Sequence, residues 1–251
     1  MKKGINSFQL KCICIGLMIT GMAMQTACSL YEMLYPGHLS NGIYTVFYLG
    51  QVLYLAAFPL SAFLLVEAFK HTSDRKKLLL RLLGTALLVE IPMDLAYNIK
   101  QVIWWGRNQN YFFTLTIGLL VLWSVETTMK KYGQGTLKTN LLTLLVYLAA
   151  TATAILLRTE QSSVGVLTIV ALYLFYGNRM FSFITVAAIY LFFTGSTGRN
   201  VGLEYLPVLS MLLLWMYNGE QGRATRVTRM VFYFAFPFAY CLMRSVAHFI
   251  S

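Results

Sequence analysis

The stretch "FPLSAFLLVEAFKHTSDRKKLLLRLLGTALLVEIPMDL", Phe58 to Leu95, decides the fold. Two long apolar runs flank a short polar turn rich in bases. Each run belongs to a window of about 18–25 largely uncharged residues, long enough to cross a bilayer as a helix. Two such runs joined by a charged turn form a helical hairpin that returns to one side of the membrane. The rest of the chain repeats this pattern. Of 251 residues, 58% are hydrophobic and 12% charged. Soluble domains carry roughly 25% charged residues. The ~10-residue alternating segments of a transmembrane β-barrel are absent. The expected fold is an all-α, polytopic helical bundle, with residues 1–251 as one transmembrane domain.

Working outward, hydropathy gives nine candidate spans: 10–34, 43–69, 76–97, 111–129, 139–157, 162–177, 179–195, 202–218 and 228–250. The turns "GHLSNG", "RTEQSS", "GNR" and "GSTGRN" carry the Gly, Ser and Asn of tight connections. Placing the N-terminus in the cytoplasm puts Lys2, Lys3, Lys11, Lys70, Arg75, Lys76, Lys77, Lys130, Lys131, Lys138, Arg179, Arg223, Arg226 and Arg229 on that side. Lys100, Arg107, Arg158 and Arg199 fall opposite, so the ratio is fourteen to four. A missed or false span would invert every later loop, so the asymmetry supports both orientation and span number. It also explains the formal net charge of +11 without a nucleic-acid partner.

The opening "MKKGINSFQLKCICIGLMITGMAMQTAC" has the basic start of a signal peptide. Its apolar run continues through "SLYEMLY", which favours a retained first helix. Cys12, Cys14, Cys28 and Cys241 all lie in apolar runs without ligand spacing, so neither disulfide nor metal is expected. Trp104, Trp105 and Tyr111 at span ends suit an interfacial aromatic belt.

Ionisable residues within spans carry the functional signal, since a charge there costs about 3 kcal/mol or more. Glu67 and His71 are four apart and share a face if the helix continues that far. A carboxylate that holds an imidazole in one tautomer is a minimal general-base unit. The competing reading makes Glu67, Lys70, His71 and Asp74 interfacial residues facing headgroups. Arg75, Lys76, Lys77 and Arg81 suit anionic lipid or a phosphorylated cofactor, and equally an ordinary basic collar. Glu90 and Asp94 also share a face, and Pro92 between them frees a backbone carbonyl. Gly-rich phosphate loops are absent, so nucleotide hydrolysis has no support.

Three blocks resemble the TraX family of polytopic membrane proteins: Phe58–Asn98, "NQNYFFTLTIGLLVLW" from Asn108, and "YNGEQGR" from Tyr217. The resemblance implies a bacterial cytoplasmic-membrane acyltransferase, with acetyl-CoA as donor and the amino-terminus of a pilin-like peptide from conjugation machinery as acceptor. By motif position it points to Glu67, His71, Thr72, Arg81, Glu90, Pro92, Asp94, Asn110 and Thr114. On that reading His71, oriented by Glu67, is the base. Asn110 and Thr114 serve the oxyanion or the acceptor. Arg75, Lys76, Lys77 and Arg81 meet the CoA phosphates, and Glu90 and Asp94 receive the ammonium.

The chain also departs from the family pattern. The first span has no Asp or His from Cys12 to Tyr31, Ala239 stands where a last-span His is expected, and "TEQSSVG" replaces an Asp-Tyr-Gly segment. The alternative is therefore a catalytically inactive protein of the same fold that binds a peptide or lipid partner.

Overall fold

The computed structural model describes residues 4–38, 40–97, 108–195, 205–222, 234–243 and 245. Trp104, Trp105, Lys2, Lys3, Lys100, Arg107, Arg199, Arg223, Arg226 and Arg229 lie outside them. The helices are α1 (Ser7–Leu34), α2 (Asn41–His71), α3 (Arg75–Tyr97), α4 (Tyr111–Tyr132), α5 (Leu137–Leu156), α6 (Ser162–Leu174) and α7 (Arg179–Gly195). A 3-10 helix (Leu206–Met216) and α8 (Phe234–Met243) follow. Among the described residues there are two isolated bridges and no strand. The all-helical expectation holds.

Four helices, α1, α2, α4 and α5, are long and apolar enough to cross a bilayer. The eighth expected span differs from an ordinary span. It is an 11-residue 3-10 helix with a proline at its start, and at ~2.0 Å per residue it extends roughly 22 Å.

The chain divides into two compact units. The first comprises Met1–Ser61, Ile91–Ile103 and Tyr190–Ser251. Here α1 and the first part of α2 pack antiparallel. The Cys14 thiol meets the Ala57 carbonyl at 3.3 Å and the Ser61 hydroxyl at 2.9 Å, and Cys28 meets the Ile43 carbonyl at 3.5 Å. Asn6 and Gln9 close a capping box at the start of α1. The "YNGEQG" motif holds the segment just before this helix. Ile5 N–H donates to the Met216 carbonyl at 2.7 Å, Asn218 N–H to Ile5 at 2.9 Å, and Ser7 N–H to Glu220 at 2.8 Å. Gly222 sits against the Asn6 side chain at φ +71°, where a Cβ would collide with Asn6 Oδ1 at 2.6 Å. The motif that resembles the family thus anchors the entry to α1.

The second unit comprises Ala62–Glu90 and Trp104–Ile189. Its core gathers Ile117, Val121 and Val125 of α4, Ala150 and Ala154 of α5, and Val166 and Val170 of α6. Gln109 and Thr159 form a parallel bridge just ahead of α4 and α6, which therefore run side by side in one direction. Gly118 permits their close approach, because a Cβ there would strike Ile169. The opposite face of α5, with Leu141, Leu144, Leu145 and Leu148, is exposed and apolar, as lipid contact requires.

Candidate functional site

The site lies at the end of the second unit where α2 stops and α3 starts. Helix α2 continues through His71. That places the His71 imidazole on the same face as Glu67, Nε2 to Oε1 at 3.4 Å. Asp74 then starts α3, its Oδ1 accepting from Lys77 N–H at 3.0 Å and its Oδ2 meeting Lys77 Nζ at 2.9 Å. Those Lys77 contacts hold the Asp74 carboxyl below its usual range.

The turn after α6 supplies a third group. Gly177, at φ +93°, reverses the chain towards α7. Just before it, Tyr176 donates its hydroxyl proton to Glu67 Oε2 at 2.6 Å, and its oxygen lies 3.5 Å from His71 Nε2. Glu67 is buried at 7% exposure, whereas the His71 side chain is 52% exposed. A buried carboxylate thus backs an imidazole that remains open to solvent.

Cations line the same end, and two of them are committed. Lys70 Nζ lies over the rings of Tyr173 and Tyr176, 4.5 and 4.9 Å from their centroids. Arg75 stacks on Phe69 at 4.4 Å and pairs with Glu126 at 2.5 Å. Glu126 also meets Lys130 at 2.7 Å. Arg75 therefore braces α3 against α4 and is not open to a phosphate. Lys76, Lys77 and Arg81 are exposed, and Lys77 is paired with Asp74. Thr72 is half-buried and bonds through its N–H to Ala68.

Glu90 forms a separate centre. Its Oε2 accepts from Asn110 N–H at 3.1 Å and from Asn110 Nδ2 at 2.5 Å. Asn110 Nδ2 also donates to the Ala86 carbonyl at 2.8 Å, and its Oδ1 caps α4 by accepting from Phe112 N–H at 3.1 Å. The carbonyl used is that of Ala86, not the one four residues before Pro92. Thr114 is fully buried one turn further along α4. Asp94 is buried in the first unit.

Sixteen residues of helix separate Asp74 from Glu90, about 24 Å along the axis. The structure therefore does not bring Asn110 and Thr114 to His71. The reason is the direction of α4: Asn110 starts it, and Glu126, sixteen residues later, meets Arg75 at the other end. Sequence reasoning missed Tyr176 and Glu126. The latter had a weak signal, an acid four residues before Lys130 on a helix. Among the described residues no group of three or more His, Cys, Asp or Glu side chains converges as metal ligands would.

Over residues 9–246 the chain matches the family model described as TraX protein. No curated protein and no solved structure matches it.

Proposed function

The chain belongs to the TraX family, and from that premise we propose that it is a cytoplasmic-membrane N-acetyltransferase. On this reading it crosses the bacterial inner membrane nine times with its N-terminus in the cytoplasm. It moves the acetyl group of acetyl-CoA to an amine such as a pilin-like peptide N-terminus. The observation that carries the reading is the Glu67–His71 pair, a buried acid behind an exposed imidazole, set among cations at the end that charge counting assigns to the cytoplasm.

His71 takes a proton from the acceptor ammonium. The freed amine attacks the thioester carbonyl, a C–N bond forms, and the C–S bond breaks. The CoA thiolate leaves with the proton that His71 took from the ammonium, and His71, neutral again, takes the second nitrogen proton and releases it to water. Lys76, Lys77 and Arg81 are the exposed cations available to CoA phosphates. Asn110 and Thr114 take no part in this step.

The test is transfer from radiolabelled acetyl-CoA to amines and pilin-like peptides by purified protein. Transfer well above a His71→Ala control is expected, and equal transfer sinks the assignment. A second reading, a non-catalytic relative that binds a peptide or lipid, is favoured by Ala239 and by the first span without Asp or His. Calorimetry with CoA separates the two: measurable binding heat supports the enzyme, and none supports the inactive fold.

A further inference from the structure

The turn after α6 contributes a residue with no role in the acyl-transfer scheme. Tyr176 lies 109 positions from Glu67 in sequence, yet donates to it at 2.6 Å. A phenol has one proton, and at that distance it points to Glu67 Oε2. The Tyr176 oxygen that remains near His71 Nε2 is therefore an acceptor. Glu67 Oε1, 3.4 Å from the same nitrogen, is also an acceptor. Acceptors on both sides fix the imidazole proton on Nε2, which leaves the Nδ1 lone pair to take a proton. Lys70 holds the Tyr176 ring from its face at 4.9 Å, and the Gly177 turn sets its backbone.

We propose that Tyr176 is a positioning residue: it orients the Glu67 carboxylate, and through it locks His71 with its proton on Nε2 and Nδ1 as the basic atom. The use of Nδ1 in acyl transfer rests on the proposed function, whereas the tautomer does not.

The experiment is nitrogen-15 NMR of histidine-labelled full-length protein in nanodiscs. The His71 signal is assigned by its loss in His71→Asn, against His38 and His248. Expected for neutral His71 is a pyrrole-type Nε2 bearing a hydrogen-bonded proton and a pyridine-type Nδ1. In Tyr176→Phe the Nε2 proton exchanges with water at least about tenfold faster, since one of its two acceptors is removed. In Glu67→Gln the amide turns a donor towards Nε2, and the proton moves to Nδ1. A wild-type proton on Nδ1, or a Tyr176→Phe spectrum identical to wild type, overturns the proposal. Circular dichroism confirms that each variant is folded.

Acetyl transfer is measured on the same samples. Tyr176→Phe is expected to lower kcat by about tenfold to a hundredfold through misplacement of the base, with KM for acetyl-CoA unchanged. If wild type transfers nothing but shows the expected tautomer, the acyltransferase reading fails and the positioning role stands.

Discussion

Gly21 of α1 faces Gly50 of α2 so closely that a Cβ on Gly21 would lie 2.5 Å from the Gly50 carbonyl oxygen and 2.6 Å from the Tyr54 nitrogen. Both atoms are backbone, so a side chain there forces the helices apart. Gly21→Ala is expected to destabilise the protein by about 1–3 kcal/mol through overpacking. Gly16, with open space around its Cβ position, is the control: Gly16→Ala should be neutral or stabilising by up to ~1 kcal/mol. Denaturant-induced loss of helicity in detergent reads both.

Asn110 serves α3 and α4 together, so its removal has two costs. Asn110→Ala should lose about 0.5–2 kcal/mol from the missing cap alone. It also strips Glu90 of the Nδ2 hydrogen bond in a buried setting, leaving the backbone N–H contact. The double variant Asn110→Ala/Glu90→Gln should therefore be less destabilised than the sum of the singles, by a coupling of about 0.5–3 kcal/mol. Additive losses would mean that the bond carries no energy.

Arg75 and Arg81 are expected to separate stability from donor affinity. Arg75→Ala should lower the unfolding midpoint and couple to Glu126→Gln. Arg81→Ala, at an exposed position, should leave the midpoint within about 0.5 kcal/mol while raising KM for acetyl-CoA. A KM effect of equal size from Lys76→Ala would support shared phosphate binding. No effect from either removes both from the donor site.

Much of the helical order was legible because long apolar runs and short polar turns are local signals. The Glu67–His71 pairing was legible for the same reason, since four residues make one helical turn. Tyr176 was not legible: it stands 105 positions from His71, and periodicity cannot say which distant turn a helix end meets. Asn110 was found through its motif, but its hydrogen bonds to Glu90 were not legible. Spacing places a residue on a face without saying which helix that face meets, and here it meets Glu90 rather than His71. Arg75 looked like its basic neighbours, yet only the tertiary position of Glu126 separates a brace from an open cation.

The parallel pair α4 and α6 begins at one level, but α4 has 22 residues and α6 has 13. At 1.5 Å per residue α6 stops about 13 Å short of its neighbour. At ~20 Å it also falls well below the ~30 Å hydrocarbon thickness. Tyr176, and with it Glu67 and His71, sits at this early stop. Hydrophobic mismatch of this kind draws the surrounding lipid inward or leaves a dip in the bilayer surface. The Glu67–His71 end is thus recessed below the tip of α4, which carries Lys130 and Lys131. Membrane thickness then becomes a control variable, with short-chain lipids bringing headgroups and water to His71 and long-chain lipids burying it.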